Sequence, residues 1–374
     1  KDRCGHWDKI WQQNRTGAGE DVHVWISMNA QLAKFGTTDP VPELEQQTQW
    51  LRDVCNDLDG KVRILSTNGP NGDEEFQQAS AVFHDYDGVA VPTPREHFGL
   101  TDGIGNPVFY GQYPDIEVEK RLVIGRGKWM SKERGWEPLA TGEFLLGHVD
   151  ESQEIAPSAM PPEFSLNGSF MVYRKLHENV STWHDFVASE SAKFGKTMGL
   201  DDEDEARETL IAKIVGRWSD GVPLSRVPTY AEWQKFRTDK GLDDPDPTKA
   251  LLAQQAFLKS TEASDFKYGD DMSGAKCPGG SHLRRVNTRD YLDPLNTPGG
   301  KNPDATTQLN KRRRLLRRGL PYGAPLSRDL SDDTEQGVAF MIVGTGIFRQ
   351  FEFVQQQWIQ YGLDFNAGNN TCPL

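Results

Sequence analysis

The sequence predicts an α+β protein in which antiparallel sheets are covered by helices and long loops build a cavity. Three observations lead there. Segments with the two-residue period of strands alternate with segments of helical period, but without the short regular repeat of a doubly wound sheet. Two long stretches dense in turn formers interrupt them. There is no internal repeat and no low-complexity tract.

Residues 21–27, DVHVWIS, place Val22, Val24 and Ile26 on alternate positions and predict a strand with one buried face. Leu44, Leu51, Val54 and Leu58 recur at helical spacing behind Pro42, and the turn formers from Asn56 to Gly60 end that helix. KVRILS then reads as a second strand. Residues 67–141 are rich in Gly, Pro, Asn and Asp, the composition of functional loops on a rigid scaffold.

Regularity returns at GEFLLG and GSFMVYRKL, where Phe170, Val172 and Arg174 alternate with Met171, Tyr173 and Lys175. Val180, Trp183 and Val187 then form a helical stripe. DEDEARETLIAKIVGRW opens on acids, as the helix dipole favours, and aligns Ala206, Leu210, Ile214 and Trp218. From 219 to 336 turn formers dominate again, until GVAFMIVG reads as a strand and FRQFEFVQQQWI as a helix turning Phe348, Phe351, Val354 and Trp358 inward.

The chain has 374 residues, enough for one large domain or two ordinary ones with an internal cavity. A formal net charge of −13 opposes nucleic-acid or anionic-membrane binding as the main task. No run of apolar residues is long enough to cross a bilayer, and KDRCGHWDKIW lacks the apolar core of a secretory signal. Cys4, Cys55, Cys277 and Cys372 show no metal-ligand spacing and no disulfide framework. Together these features predict a cytoplasmic, reducing setting.

Chemistry concentrates in three segments. In EHFGLTDGIGNPVF, residues 96–109, Gly99, Gly103 and Gly105 bracket Asp102, so the backbone turns sharply and Gly103 lets it approach a flat ligand. Alone, such a GxxDG also reads as an Asp capping its own turn. In CPGGSHLRRVNTRD, residues 277–290, His282 follows a Pro-Gly-Gly turn and precedes Arg284, Arg285 and Arg289. A neutral imidazole suits haem iron, and guanidinium groups suit haem propionates, although any one of eight histidines also reads as a surface or core residue. RRRLLRRGLPYG, residues 312–323, is a basic run that alone reads as a solvated helix end or a nucleic-acid patch from Lys311 to Arg318.

In order and content these segments resemble the dye-decolorizing peroxidases, most of all their larger bacterial C- and D-type members. The resemblance lies in GxxDG, then a lone proximal His, then an Arg four residues before Pro-Tyr-Gly, with further matches at GEFLLG, NGSFMVYRKL and RQFEFVQQQW. It runs from about residue 90 to about residue 365. It implies two ferredoxin-like halves, here 1–141 and 142–374, whose sheets sandwich one haem b. It also implies a further strand and helices ahead of residue 1, and chain beyond NNTCPL.

By the same resemblance Asp102 is the distal acid and base, Arg317 the distal arginine and His282 the iron ligand. Arg284 and Arg289 would meet the propionates, and Glu352 would accept the second ring proton of His282, a role the family gives to an acid. Asn167 and Arg174 read as structural. The implied activity is reduction of hydrogen peroxide with one-electron oxidation of bulky aromatic, phenolic or dye-like reductants, relayed by one of ten Trp or nine Tyr. The family commonly forms homo-oligomers. A haem-handling protein of the same fold, without peroxidase turnover, is the competing expectation.

Overall fold

The computed structural model describes residues 7–12, 22–65, 74–296, 302, 304–323, 331–362 and 371–374. The α+β class holds, built from small sheets and many helices. The helices are α1 (Lys9–Gln12), α2 (Glu43–Asp57), α3 (Ile116–Leu122), α4 (Pro162–Ser165), α5 (Val180–Met198), α6 (Glu203–Val215), α7 (Tyr230–Lys240), α8 (Pro247–Lys259) and α9 (His282–Val286). The strands are β1 (Phe83–Tyr86), β2 (Val89–Pro92), β3 (Lys128–Trp129), β4 (Trp136–Glu137), β5 (Phe170–His177), β6 (Leu316–Tyr322) and β7 (Gly337–Gly344). β1–β2 and β3–β4 are antiparallel pairs, and the largest sheet has the order β5-β7-β6.

The chain divides into two compact units. One comprises Lys1–Thr93, His177–Asn179 and Leu320–Val338; the other comprises Pro94–Leu176, Val180–Gly319 and Ala339–Leu374. In the first unit, α2 forms where expected, and β1 and β2 close on Asp87-Gly88, both at positive φ, as a tight hairpin requires. Among the described residues the expected strands at 21–27 and 61–66 do not form: residues 22–27 and 61–65 have no ladder partners there, and residues 21 and 66 lie outside the described ones. Alternation specifies which face a strand would bury, but without a neighbouring strand its backbone groups stay unpaired. Val24 and Ile26 are accordingly exposed.

The second unit contains the main core, in which Trp218 stacks on Trp233 with ring centroids 4.6 Å apart, among Ala212, Leu224, Phe257, Tyr268 and Trp358. β5, α5, α6 and β7 match expectation. α6 ends at Gly216, where φ is +93°, so Trp218 falls beyond the helix rather than on its stripe. α7 and α8 sit inside a region expected to be turns. Their start signals are plain: a Thr229–Glu232 capping box, and Asp246 accepting from the amides of Thr248 and Lys249 with Pro247 at the first helical position. The segment 348–359 winds as π-helical turns, with Phe351, Val354 and Trp358 buried as expected but Phe348 78% exposed. Among the described residues no helix is long and apolar enough to cross a membrane.

Candidate active site

The loop carrying Asp102 is nailed at several points within the second unit. The Glu96 carboxylate accepts from the amides of Phe98 and Leu100, both at 2.8 Å. Thr101 donates its amide (3.1 Å) and its hydroxyl (2.7 Å) to Ser219 O, and the Asp102 amide donates to Pro94 O at 3.0 Å. Gly103 and Gly105 have φ of +77° and +79°, which a side chain would strain, and a Cβ on either would meet nothing within 4 Å. The loop therefore presents Asp102 at a sharp turn beside open space.

Arg317 reaches this carboxylate from β6. Its Nη1 donates to Asp102 Oδ1 at 2.9 Å and its Nη2 to Ile104 O at 2.8 Å. Asn106 fixes the backbone beneath, accepting from the Arg317 amide at 3.1 Å and donating to Arg317 O at 3.3 Å. Asp102 is packed deep among protein atoms, yet its side chain is 49% exposed and that of Arg317 30%, as for groups on the wall of a hollow. Burial pushes the Asp102 carboxyl up. The Arg317 charge, the Gly103 amide and the Arg317 hydrogen bond outweigh that push and hold it below the usual range, so it is ionised at neutral pH.

His282 opens α9, and its position is set by the end of α6. A Cβ at Gly216 would stand 2.8 Å from Leu283 Cβ and 3.2 Å from Ser281 Oγ, so the two segments touch through a glycine. Burial, reinforced by the Arg317 charge, lowers the His282 ring to about 4 and keeps it neutral, with Asp102 pulling the other way. The ring thus feels both distal groups. Its Nδ1 lies 3.2 Å from Cys372 Sγ, so Nε2 is the ring nitrogen outside that contact.

The remaining expected residues fall in different places. Arg284 is 0% exposed, pairs with Asp271 at 3.1 Å and lies 4.0 Å from the Tyr291 ring centroid. It has no open surface for a propionate and instead braces the loop ahead of His282. Arg289 is buried against the Phe266 ring at 3.7 Å and donates to Phe266 O at 2.6 Å, while its Nε has no partner. Glu352 lies half-buried in the π-helical segment, and the thiol of Cys372 occupies the place against His282 Nδ1 where an acid was expected. Asn167 is structural as expected, at φ +62° and 2.7 Å from His148.

The basic run turns inward. Lys311 and Arg312 pair with Glu151 (3.2 Å) and Asp150 (2.8 Å), Arg313 covers Phe353, and Arg314 is buried. Sequence reasoning did not single out Arg314 and Arg217, two buried cations within electrostatic reach of Arg317. Arg314 bonds the carbonyls of Gly127, Gly105 and Arg126; Arg217 bonds those of Gly221 and Ala263. Burial pushes both to about 9, and Arg289 to about 10, with the charges of Arg289 and Arg317 adding to the push on Arg217 and Arg314. Three buried guanidiniums that hydrogen-bond only carbonyls, two of them within electrostatic reach of Arg317, place positive charge around the site, of the sign that would balance a ligand with two carboxylates. With one neutral His, this set of charges and donors fits a haem.

The chain has relatives among known proteins. The chain is 25% identical over 302 residues to the dye-decolorizing peroxidase msp1 of Mycetinis scorodonius, covering 78% of this chain and 48% of that one. It is 29% identical over 287 residues to a dye-decolorizing peroxidase of Mycena epipterygia (74% and 45%). It is 26% identical over 330 residues to the multifunctional dye peroxidase DyP2 of an Amycolatopsis species (86% and 54%). Its relatives by sequence are dye-decolorizing peroxidases. No protein-family model matches it, and it spans about half the length of the curated peroxidases it matches. An ancestral D-type dye-decolorizing peroxidase shares the fold, with a TM-score of 0.56 at 21% identity over 90% of this chain and 59% of that one. So does a dye-decolorizing peroxidase solved with 2,6-dimethoxyphenol, with a TM-score of 0.56 at 20% identity over 98% and 69%.

Proposed function

We propose that this chain is a haem peroxidase that reduces hydrogen peroxide and oxidises phenolic or other aromatic reductants in one-electron steps. The observation that carries the reading is the 2.9 Å pair of Asp102 and Arg317, ionised and beside open space, within electrostatic reach of a neutral His282. A haem b bound here supplies an iron centre able to accept oxidising equivalents from a peroxide bond.

His282 Nε2 would hold that iron, and Arg217, Arg289 and Arg314 would supply positive charge to balance the propionates. Gly103, with no side chain, would let the Asp102 loop approach the haem closely. The Asp102 carboxylate would take a proton from one oxygen of peroxide and return it to the other, a general acid/base role worth about a hundredfold to ten-thousandfold. Arg317, fixed by Asn106 and Ile104, orients the peroxide and stabilises the negative charge growing on the leaving oxygen. Because burial raises the Asp102 carboxyl and Arg317 lowers it, the pair sets the pH at which the base form is available.

Residues 1–141 and 142–374 are taken as ferredoxin-like halves, and phenols as substrates because a peroxidase of the same fold was solved with 2,6-dimethoxyphenol. The test is turnover of that phenol by the haem-loaded protein with peroxide, followed by absorbance. Product formation that needs peroxide and falls with Asp102→Asn supports the reading. Haem destruction without phenol oxidation would show a haem-handling protein instead.

A further inference from the structure

Cys372 is 6% exposed, and its amide donates to Ile359 O at 2.8 Å. The same carbonyl accepts from Arg285 Nη1 at 3.0 Å. Arg285 lies on α9 with His282. The ring and the thiol are therefore anchored to one scaffold, the helix that begins with His282 and the π-helical turn it grips. Within it Cys372 Sγ stands 3.2 Å from His282 Nδ1, a normal separation for a hydrogen bond to sulfur. A neutral imidazole carries one proton and one lone pair, and whatever accepts the proton decides which nitrogen keeps the lone pair.

We propose that Cys372 is the positioning residue of His282, its Sγ accepting the Nδ1–H so that the Nε2 lone pair faces the iron. The inference rests on the haem reading given above. It has a chemical consequence. A neutral sulfur draws on the ring proton less than a carboxylate does, so the imidazole remains a weaker electron donor than one backed by an acid. Replacing the sulfur by a carboxylate strengthens the ligand and makes the iron harder to reduce.

The test is the tautomer of His282 in the haem-free full-length chain, read from long-range proton–nitrogen correlations of the ring in the native protein, Cys372→Ala and Glu352→Gln. The native ring is expected with its proton on Nδ1. Cys372→Ala is expected to shift the proton to Nε2, the form free imidazoles favour, and to weaken haem retention about tenfold to hundredfold. Glu352→Gln is expected to leave the tautomer alone. A native ring protonated on Nε2, a Cys372→Ala ring still protonated on Nδ1, or a tautomer that follows Glu352 overturns the proposal. The native spectrum decides by itself should the alanine variant not fold. In the haem-loaded ferrous protein, Cys372→Asp is expected to raise the iron–histidine stretching frequency, and an unmoved frequency also overturns the proposal. A native chain that shows the Nδ1 proton yet binds no haem supports the hydrogen bond and defeats the haem reading, so the two failures are distinguishable.

Discussion

Arg317→Leu separates two effects that the structure assigns to one guanidinium. The substitution removes the donor 2.9 Å from Asp102 Oδ1 and the donor 2.8 Å from Ile104 O, while leaving the β6 backbone and its Asn106 contacts in place. The first effect is on rate. Loss of one preorganised donor to a developing oxyanion costs about a hundredfold to a thousandfold, or about 2.7 to 4 kcal/mol. The Arg317 side chain is 30% exposed, so water takes over part of its field and the lower end, about a hundredfold, is expected.

The second effect is on pH. Without the Arg317 charge the burial of Asp102 is opposed mainly by the Gly103 amide, so the carboxyl rises. The base form is then lost at a higher pH, and the acid limb of the peroxide reaction moves upward. Stopped-flow absorbance of the haem-loaded protein, mixed with peroxide from acid to neutral pH, measures both. A variant with the native rate and the native acid limb would refute the reasoning.

Asp102→Asn is expected to keep haem and fold but slow the peroxide reaction by about a hundredfold to ten-thousandfold, measured in the same apparatus; a native rate would remove Asp102 from the mechanism. Arg284→Met leaves Asp271 buried without its cation and should destabilise the protein by about 3 to 5 kcal/mol in urea unfolding, whereas a propionate ligand would lower haem affinity and leave the haem-free protein as stable as the native. Between pH 6.5 and about 4 the unfolded chain protonates His282 and the folded chain does not, so stability is lost as pH falls through that window. The loss from this group is about 3 kcal/mol at most, and a His282→Gln protein with an unchanged pH dependence of urea unfolding would contradict it.

Much of the site was legible because its chemistry is tied to local backbone. Three glycines around Asp102 mean a sharp turn, and the Pro-Gly-Gly turn ahead of His282 is plain, although the short helix that His282 opens was not expected. Long-range partners were not legible. Arg314 belongs to a run of six basic residues from Lys311 to Arg318, and nothing local distinguishes the one that is buried from those paired with Asp150 and Glu151. Arg217 follows a helix-ending glycine and looks like an ordinary C-terminal cation. Cys372 lies 90 residues from His282, with no spacing to mark it, whereas Glu352 had the residue type the role usually takes.

The fold divides in the same way. Helices α2, α5 and α6 announce themselves by period, but α7 and α8 were hidden by a turn-rich average over the region 219–336, although Thr229–Glu232 and Asp246-Pro247 are local start signals. The strand expected at 21–27 failed for the opposite reason: alternation is a local property, and a strand needs a partner that the sequence does not name.

The measurement that bears most directly on the central claim is titration of the haem-free protein with haem, followed by absorption, for the native chain and His282→Ala. The account expects the native protein to bind one haem per chain with the Soret band of a histidine-ligated ferric iron, a band that shifts on one equivalent of peroxide, and expects His282→Ala to lose the haem or change its ligation. Stoichiometric binding with the same spectrum in both proteins, or no binding by the native chain, would contradict it.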